Sequence, residues 1–355
     1  MDYAKLPEYK NHELILEGSD KKSCFQSFIA IHNSNLGPAL GGTRIVNYSD
    51  TKAALRDVLR LSKAMTYKCA IAGVPFGGGK GVIFLKSKTP KALLPKILRL
   101  YAEQVDSLKG RFHTGEDVGI SEKNVQYMLK FSPYFIGKSH LAGDPSPYAG
   151  LSAFYCIQTV LKHVFGSEKI SGKTFAIKGV GKTGSSLVKL LYEQGAEITI
   201  SDTDPKQIKK MVRLYPKIKT ISSKDINGFK ADVYCPCAMG DDIKKNNFNK
   251  IKAQIICGTA NNQIEDENIS EKLYKLSILH VPDYIANSGG LINVADELLS
   301  GGYKKSRVVK TINEIKKTLT NVLEVSSQKM ISPDKIADRL AESRFNKIHQ
   351  SNVSQ

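Results

Sequence analysis

The stretch from Thr174 to Asp202 constrains this chain more than any other. Thr174-Phe175-Ala176-Ile177-Lys178 is a short β-prone run, and Gly179-Val180-Gly181-Lys182-Thr183-Gly184 follows it with the pattern G-x-G-x-x-G. Leu187, Leu190 and Leu191 mark one face of a helix that Gly195 closes, and Glu197-Ile198-Thr199-Ile200-Ser201 reads as a second strand ending in Asp202. A bare glycine pattern is weak evidence. One placed between a strand and a helix, with an acid 23 residues after its first glycine, is strong. The glycines permit a tight turn and the close approach of a pyrophosphate, which the helix N-terminus attracts. Asp202 can accept hydrogen bonds from an adenosine ribose and repels a 2′-phosphate, which favours NAD over NADP. Lys206, Lys209 and Lys210 lie nearby, so the preference is not absolute.

Later runs repeat a pattern in which small and amide residues follow apolar ones. Ala231-Asp232-Val233-Tyr234 leads into Cys235-Pro236-Cys237-Ala238, and Gln254-Ile255-Ile256-Cys257 into Gly258-Thr259-Ala260-Asn261-Asn262. Ile278-Leu279-His280-Val281 leads into Pro282-Asp283-Tyr284, with Asn287 soon after. Ligands of open parallel sheets bind at the carboxyl ends of strands. Cys237, Ala238, Ala260, Asn261 and Asn287 are therefore candidate cofactor contacts and Asn262 a candidate substrate contact, although Asn also suits ordinary turns.

Upstream, Gly77-Gly78-Gly79-Lys80-Gly81 sets a lysine in a run stripped of side chains, twelve residues after Lys68. The run reads as a bare loop that a substrate or another backbone can approach closely. A lysine whose charge is disfavoured there by burial or a second ammonium can serve as a base. With 52 Lys and Arg in the chain, the alternative for any one lysine is a solvated surface charge. A nucleotide-phosphate loop is excluded: Val74 stands where its first glycine belongs, and Gly81 where its Ser or Thr belongs.

The 355 residues suffice for two domains. The polar N-terminus from Met1 to Glu8 lacks the apolar core of a signal peptide, and no apolar run reaches membrane-spanning length, which points to the cytoplasm and to no membrane partner. Six cysteines at 24, 69, 156, 235, 237 and 257 show no metal-ligand spacing, so no metal site is expected. The pair around Pro236 reads as small buried thiols. A net charge of +18 raises polyanion binding as a rival function. The lysines are spread from Lys10 to Lys347 rather than gathered into a basic stripe, so no specific nucleic-acid partner is expected.

Phe25 to His32 reads as a strand and 51–64 as a helix capped by Asp50, with Lys68 just beyond its end. A second helix is expected at 91–109. The loop His113-Thr114-Gly115-Glu116-Asp117-Val118-Gly119 carries an acidic pair, a turn or a site. Gly143-Asp144-Pro145-Ser146-Pro147 breaks the chain ahead of a helical stretch at about 150–165, and the first domain crossing is placed there.

Taken in order, several of these stretches resemble the glutamate/leucine/phenylalanine/valine dehydrogenase family, specifically its leucine and phenylalanine branch. The matching segments are Gly37-Pro38-Ala39-Leu40-Gly41-Gly42, Met65-Thr66-Tyr67-Lys68, Phe76-Gly77-Gly78-Gly79-Lys80, Gly115-Glu116-Asp117-Val118-Gly119 and Gly143-Asp144-Pro145-Ser146-Pro147. The nucleotide fingerprint, Ala260-Asn261-Asn262-Gln263, and Pro282-Asp283-Tyr284 through Asn293-Val294-Ala295-Asp296-Glu297 complete a series covering nearly the whole chain. The resemblance implies an α/β protein with a substrate domain over 1–142, a Rossmann-type doubly wound nucleotide domain over 143–322, and C-terminal helices over 323–355 that return to the first. It implies a cleft between the domains and a homo-oligomer, from dimer to octamer.

The resemblance also implies oxidative deamination of an L-amino acid to a 2-oxo acid and ammonium with reduction of NAD. Lys68 matches the lysine that binds the substrate carboxylate, Lys80 the acid/base lysine, and Asp117 the carboxylate that assists proton transfer at the amine. Leu40, Gly41, Gly115, Asn262, Leu291 and Val294 are expected around the substrate. Leu40 leaves no added cation for a glutamate side chain. Tyr148 and Ala149 stand where many relatives carry a Thr that contacts the nicotinamide amide. Gly115 and Leu291 occur more often in phenylalanine- and tryptophan-preferring relatives, and the methyl missing at 115 is expected to enlarge the pocket. Asp117-Val118-Gly119 and Ile292-Asn293-Val294-Ala295 look leucine-type. The expected substrate is thus apolar: leucine, valine, isoleucine or phenylalanine. The alternatives are a tryptophan-preferring enzyme and a non-catalytic NAD- or polyanion-binding relative.

Overall fold

The computed structural model describes residues 3–20, 22, 25–85, 90–137, 140–238, 240 and 242–346. The chain divides into two compact units. One comprises Met1–Asp144, Val294–Tyr303 and Ala341–Gln355, the other Pro145–Asn293 and Lys304–Leu340.

The first unit is built on a mixed sheet. Its strands are β1 (Leu14–Asp20), β2 (Phe25–Asn33), β3 (Ala39–Leu40), β4 (Thr43–Val46), β5 (Gly77–Phe84) and β6 (Phe112–His113), in the order β1-β2-β5-β3-β6, with β4 also pairing β5. Strand β2 runs antiparallel to both β1 and β5, whereas β3 and β4 lie parallel along the other edge of β5. Side chains alternate across a strand, and the sheet buries both faces accordingly. Phe28, Ala30, Val82 and Phe84 pack on Leu55, Val58 and Leu59 of helix α1 (Thr51–Ala72). Ile29, Ile31 and Ile83 pack on Ile97, Leu98, Tyr101 and Val105 of α2 (Leu94–Ser107), with Val125 and Met128 of α3 (Glu122–Met128) in the same cluster.

The glycine run is not a loop; it is the buried central strand β5. An added Cβ at Gly78 would overlap the Thr66 backbone nitrogen of α1, and one at Gly81 the Tyr101 hydroxyl of α2. The glycines therefore let two helices close onto the sheet. Helix α1, capped by Asp50 accepting from the Ala53 N–H at 2.7 Å, also runs past 64 to Gly73 at φ 69°. Thr66, Tyr67, Cys69, Ala70 and Ile71 keep it buried, so Lys68 lies on the helix rather than after it. The expected helix at 91–109 is a 3-10 turn at Lys91–Leu93 running into α2.

The second unit holds a six-stranded parallel sheet. After α4 (Ser146–Phe165) come β7 (Thr174–Lys178), α5 (Lys182–Glu193), β8 (Glu197–Ser201), α6 (Pro205–Leu214), β9 (Lys219–Thr220), β10 (Val233–Pro236), β11 (Ile255–Ile256), α7 (Glu267–Lys275) and β12 (Leu279–His280). Their spatial order is β12-β11-β10-β7-β8-β9. This is the doubly wound dinucleotide-binding order, with its switch point between β7 and β10. Helices α8 (Asp283–Ala286), α9 (Ser288–Ala295), α10 (Lys305–Lys329) and α11 (Pro333–Asn346) complete the chain, and α10 packs along α4.

The five described cysteines are buried and unpaired, and burial pushes the Cys69 thiol up to about 12; Cys24 lies outside the described residues. So do Met1, Asp2 and residues 347–355. Among the described residues no helix is long and apolar enough to cross a membrane, and no cluster of His, Cys, Asp or Glu is placed to hold a metal ion.

Candidate active site

In the first unit, strand alternation sets Gly78, Lys80, Val82 and Phe84 on the face that packs against α1. Lys68 and Lys80 therefore come from adjacent packed elements on one side of one sheet. Lys80 is only 7% exposed, not a bare-loop lysine. Its Nζ lies 2.5 Å from Asp117 Oδ2. Asp117 sits in the loop after β6, as the loop reading has it. Gly42 lets that loop approach, because a Cβ there would lie 2.6 Å from the Glu116 carbonyl oxygen and 3.0 Å from Asp117 Cβ. Burial alone would raise the Asp117 carboxyl, but Lys80 and Arg44 outweigh it and hold it below the ordinary carboxylate range. The pair thus survives down to pH values below that range.

Arg44 is the residue that sequence reading missed. Its Nε lies 3.3 Å from Asp117 Oδ2, and its guanidinium also reaches Asp57 of α1 at 3.0 Å. Asp57 in turn accepts from the Tyr48 hydroxyl at 2.6 Å. Its place two residues after Gly42, in the resembling segment's immediate wake, was the only available signal. On the opposite face Thr43 Oγ1 lies 2.7 Å from both Tyr101 Oη and Thr114 Oγ1, which ties β4 and the start of the acidic loop to α2.

Leu40 is buried, and a Cβ at Gly41 would overlap the Gly79 carbonyl oxygen. At Gly115 the expectation of a widened pocket is corrected. The missing methyl would point at the Ile136 carbonyl oxygen, 2.7 Å away, so the glycine accommodates a neighbouring backbone. Val294 is half-buried on α9.

In the second unit the fingerprint lies between β7 and α5. Gly179, at φ 93°, permits contact with the β10 loop, since a Cβ would lie 2.6 Å from the Ala238 nitrogen; one on Gly184 would overlap the Gly179 carbonyl. Gly181 differs. A Cβ there meets nothing within 4 Å, and α5 begins at Gly181 without a side-chain cap. Bare N–H groups beside an open face suit a pyrophosphate. Lys182 is exposed and Thr183 half-buried, its Oγ1 accepting from Thr259 Oγ1 at 2.9 Å. Asp202 accepts from the Val180 N–H at 2.8 Å and the Asp204 N–H at 2.9 Å, so it shapes the glycine turn as well as ending β8. A groove of about 1090 Å³ runs from Thr203 and Ala238 past Lys178 and Asn227.

Around the ends of β10 and β11, Cys237 and Ala260 are buried, while Ala238 and Asn261 are exposed. Asn262 takes a left-handed φ of 51°, and Leu291 is buried on α9. Asn287 Nδ2 donates to the Ala260 carbonyl at 3.1 Å and Asn261 Oδ1 at 2.8 Å, while its own Oδ1 is buried with no hydrogen-bond partner. A buried acceptor left open costs free energy unless a ligand N–H meets it, and a carboxamide N–H suits it. The open glycine turn, Asp202 and this orphaned oxygen fit a dinucleotide.

One further expectation arises here. Gly181→Ala should leave the unfolding midpoint unchanged and weaken dinucleotide binding, because its methyl meets only the space a pyrophosphate would need. Fluorescence titration with the reduced dinucleotide checks this; unchanged affinity would place the ligand elsewhere.

Comparison with known proteins agrees with this architecture. The family model for "Glu/Leu/Phe/Val dehydrogenase, dimerisation domain" matches residues 12–133, and that for "Glutamate/Leucine/Phenylalanine/Valine dehydrogenase" matches residues 204–352. The chain is 37% identical to L-tryptophan dehydrogenase of Nostoc punctiforme, over 96% of this chain and 95% of that one. It is 34% identical to leucine dehydrogenase of Bacillus subtilis, over 99% and 96% of the two chains. A crystal structure of the Nostoc punctiforme L-tryptophan dehydrogenase superposes with a TM-score of 0.83, covering 96% of this chain and 97% of that one at 36% identity. Fold and site together define an NAD(P)-dependent oxidoreductase with separate substrate and dinucleotide units. The chain belongs to the glutamate/leucine/phenylalanine/valine dehydrogenase family and is an amino-acid dehydrogenase.

Proposed function

We propose that this enzyme reversibly deaminates a bulky apolar L-amino acid, consuming water and NAD and yielding the 2-oxo acid, ammonium, NADH and a proton. The observation that carries the reading is the Lys80–Asp117 pair at 2.5 Å, its lysine buried and its carboxylate half-buried, set beside a lysine-bearing helix in a chain of this family. The domain over 1–142 supplies Lys68, Lys80 and Asp117, and that over 143–322 the dinucleotide groups.

Lys68 anchors the substrate carboxylate. Asp117, kept ionised by its two cationic neighbours, accepts a proton from the substrate ammonium. Lys80 moves a proton at the oxygen of the water that attacks the substrate imine, and later at the departing amine. Arg44 holds the carboxylate in reach of both. The dinucleotide, when bound, supplies the hydride acceptor. Gly179 through Gly184 would hold its pyrophosphate and Asp202 its ribose, with Cys237, Ala238, Ala260, Asn261 and Asn287 as further contacts. Leu40, Gly41, Gly115 and Val294 are the side-chain contacts assigned to the first unit, and Asn262 and Leu291 those assigned to the second. An apolar Leu40 in place of a cation supports an uncharged substrate. The comparable similarity to leucine and tryptophan dehydrogenases supports bulk without fixing branched over aromatic, and a tryptophan preference is the second reading. The protein works as a cytoplasmic homo-oligomer, a reading that its match to a dimerisation domain supports.

Incubation with NAD and L-leucine or L-phenylalanine should yield NADH, ammonium and 2-oxo acid in equal amounts; NADH without ammonium would contradict deamination. Wild type should prefer NAD to NADP. Asp202→Ser should narrow that ratio by removing the charge that repels a 2′-phosphate. Equal use of both by wild type would mean that Lys206 and its neighbours dominate.

A further inference from the structure

A largely buried polar chain inside the second unit ends at the Ala260 carbonyl, which orients Asn287. It starts at Asp334 of α11, whose two carboxylate oxygens lie 2.9 and 3.0 Å from His280 Nδ1 at the end of β12. His280 Nε2 lies 3.4 Å from Gln263 Oε1. Gln263 Nε2 donates to the carbonyls of Gly258 at 2.9 Å and Ala260 at 3.1 Å, and the Gln263 backbone N–H donates to Asp283 at 3.2 Å. The Ala260 carbonyl also accepts from Asn287 Nδ2. His280, Gln263 and Asn287 are all buried.

The direction of each bond follows. A carboxylate only accepts and two carbonyls only accept, so the amide of Gln263 has its nitrogen toward the loop and its oxygen toward His280. That oxygen requires a donor at His280 Nε2, while Asp334 requires one at Nδ1. Only the doubly protonated ring meets both. The Ala260 carbonyl so fixed, with Asn261 Oδ1, holds the Asn287 nitrogen, and the Asn287 oxygen is thereby turned into the orphaned position.

We propose that His280, acting with Asp334 through Gln263, is a positioning residue that presents the Asn287 oxygen to the dinucleotide. This rests on the reading of Asn287 as a cofactor contact. The groups facing the ring support it. Burial pulls the imidazole down, but Asp334, with Asp283 beyond it, raises it above its ordinary range. Tyr284 of α8 and Asp338 of α11, hydrogen-bonded to each other at 2.6 Å, are a further titratable pair, and Lys335 beside Asp334 pairs with Glu271 at 3.6 Å. Loss of the Nε2 proton sets two lone pairs against each other at the Gln263 oxygen, and the amide then turns away from the loop. Because the folded-state value is raised, the pair's contribution to stability is complete below the unfolded imidazole's range and is lost as pH rises through the folded value. Dinucleotide binding weakens as pH rises through that same folded-state value.

The test is reduced-dinucleotide titration of the full chain against pH, with ¹⁵N-imidazole NMR of His280 in parallel. Wild type should bind more weakly as His280 deprotonates, and bound dinucleotide should shift its titration upward, since the linkage is reciprocal. His280→Gln and Gln263→Met should weaken binding about tenfold, and His280→Gln should abolish the pH dependence. The NMR arm needs no variant, so a poorly folding substitution leaves the inference exposed. Binding with a flat pH dependence and a His280 titration unmoved by ligand overturns this inference alone. A wild type that binds no dinucleotide overturns the reading of the site as well.

Discussion

Lys80→Ala should lower turnover by roughly 10²–10⁴-fold, the range that a positioned acid/base contributes, while dinucleotide affinity stays at the wild-type value. The two effects separate because Lys80 belongs to the sheet of the first unit and the dinucleotide groups to the second. The variant should still fold. Asp117 keeps Arg44, whose Nε lies 3.3 Å from the same oxygen that Lys80 contacts, so the half-buried carboxylate is not left unpaired. Steady-state kinetics with a binding titration and an unfolding midpoint resolve the three quantities. Activity within a few-fold of wild type would remove Lys80 from the mechanism.

Gly78→Ala should have the largest effect on stability. The new methyl would overlap the Thr66 backbone nitrogen, which no side-chain rotation can relieve. Overpacking costs ~1–3 kcal/mol where side chains can move, so a backbone obstacle should cost about 3 kcal/mol or more and lower the melting temperature by roughly 10 °C. The residue also lies two positions from Lys80 on the same face, so any shift of β5 moves the Lys80–Asp117 pair and activity should fall as well. A variant as stable as wild type would mean that α1 does not seat against β5 as described.

The nucleotide-binding order was readable because its signals are local. Strand, glycine turn, helix, strand and acid follow one another within 29 residues, and each step has its own residue preference. The glycine run was misread because glycine serves bare loops and close-packed strands equally, and the partners that settle the matter come from distant positions: Thr66, Tyr101 and Phe112. The end of α1 was placed early because Thr66 to Ala72 is buried nearly all round and loses the alternation that marks a helix face. Arg44 has only its place after Gly42 as a signal, for a related reason. Its meaning lies in a contact with Asp117, 73 residues away, and nothing near it in sequence announces a pair. Gly115 shows the opposite error. A missing methyl reads as space, but the Ile136 backbone fills it.

The most direct measurement is kcat/KM for NADH formation across L-leucine, L-valine, L-phenylalanine, L-tryptophan and L-glutamate, with ammonium measured alongside. The predicted result is turnover of the bulky apolar amino acids with equal ammonium release and the lowest value for glutamate. Activity confined to glutamate, or no activity with any of the five in folded protein that binds NAD, would contradict it.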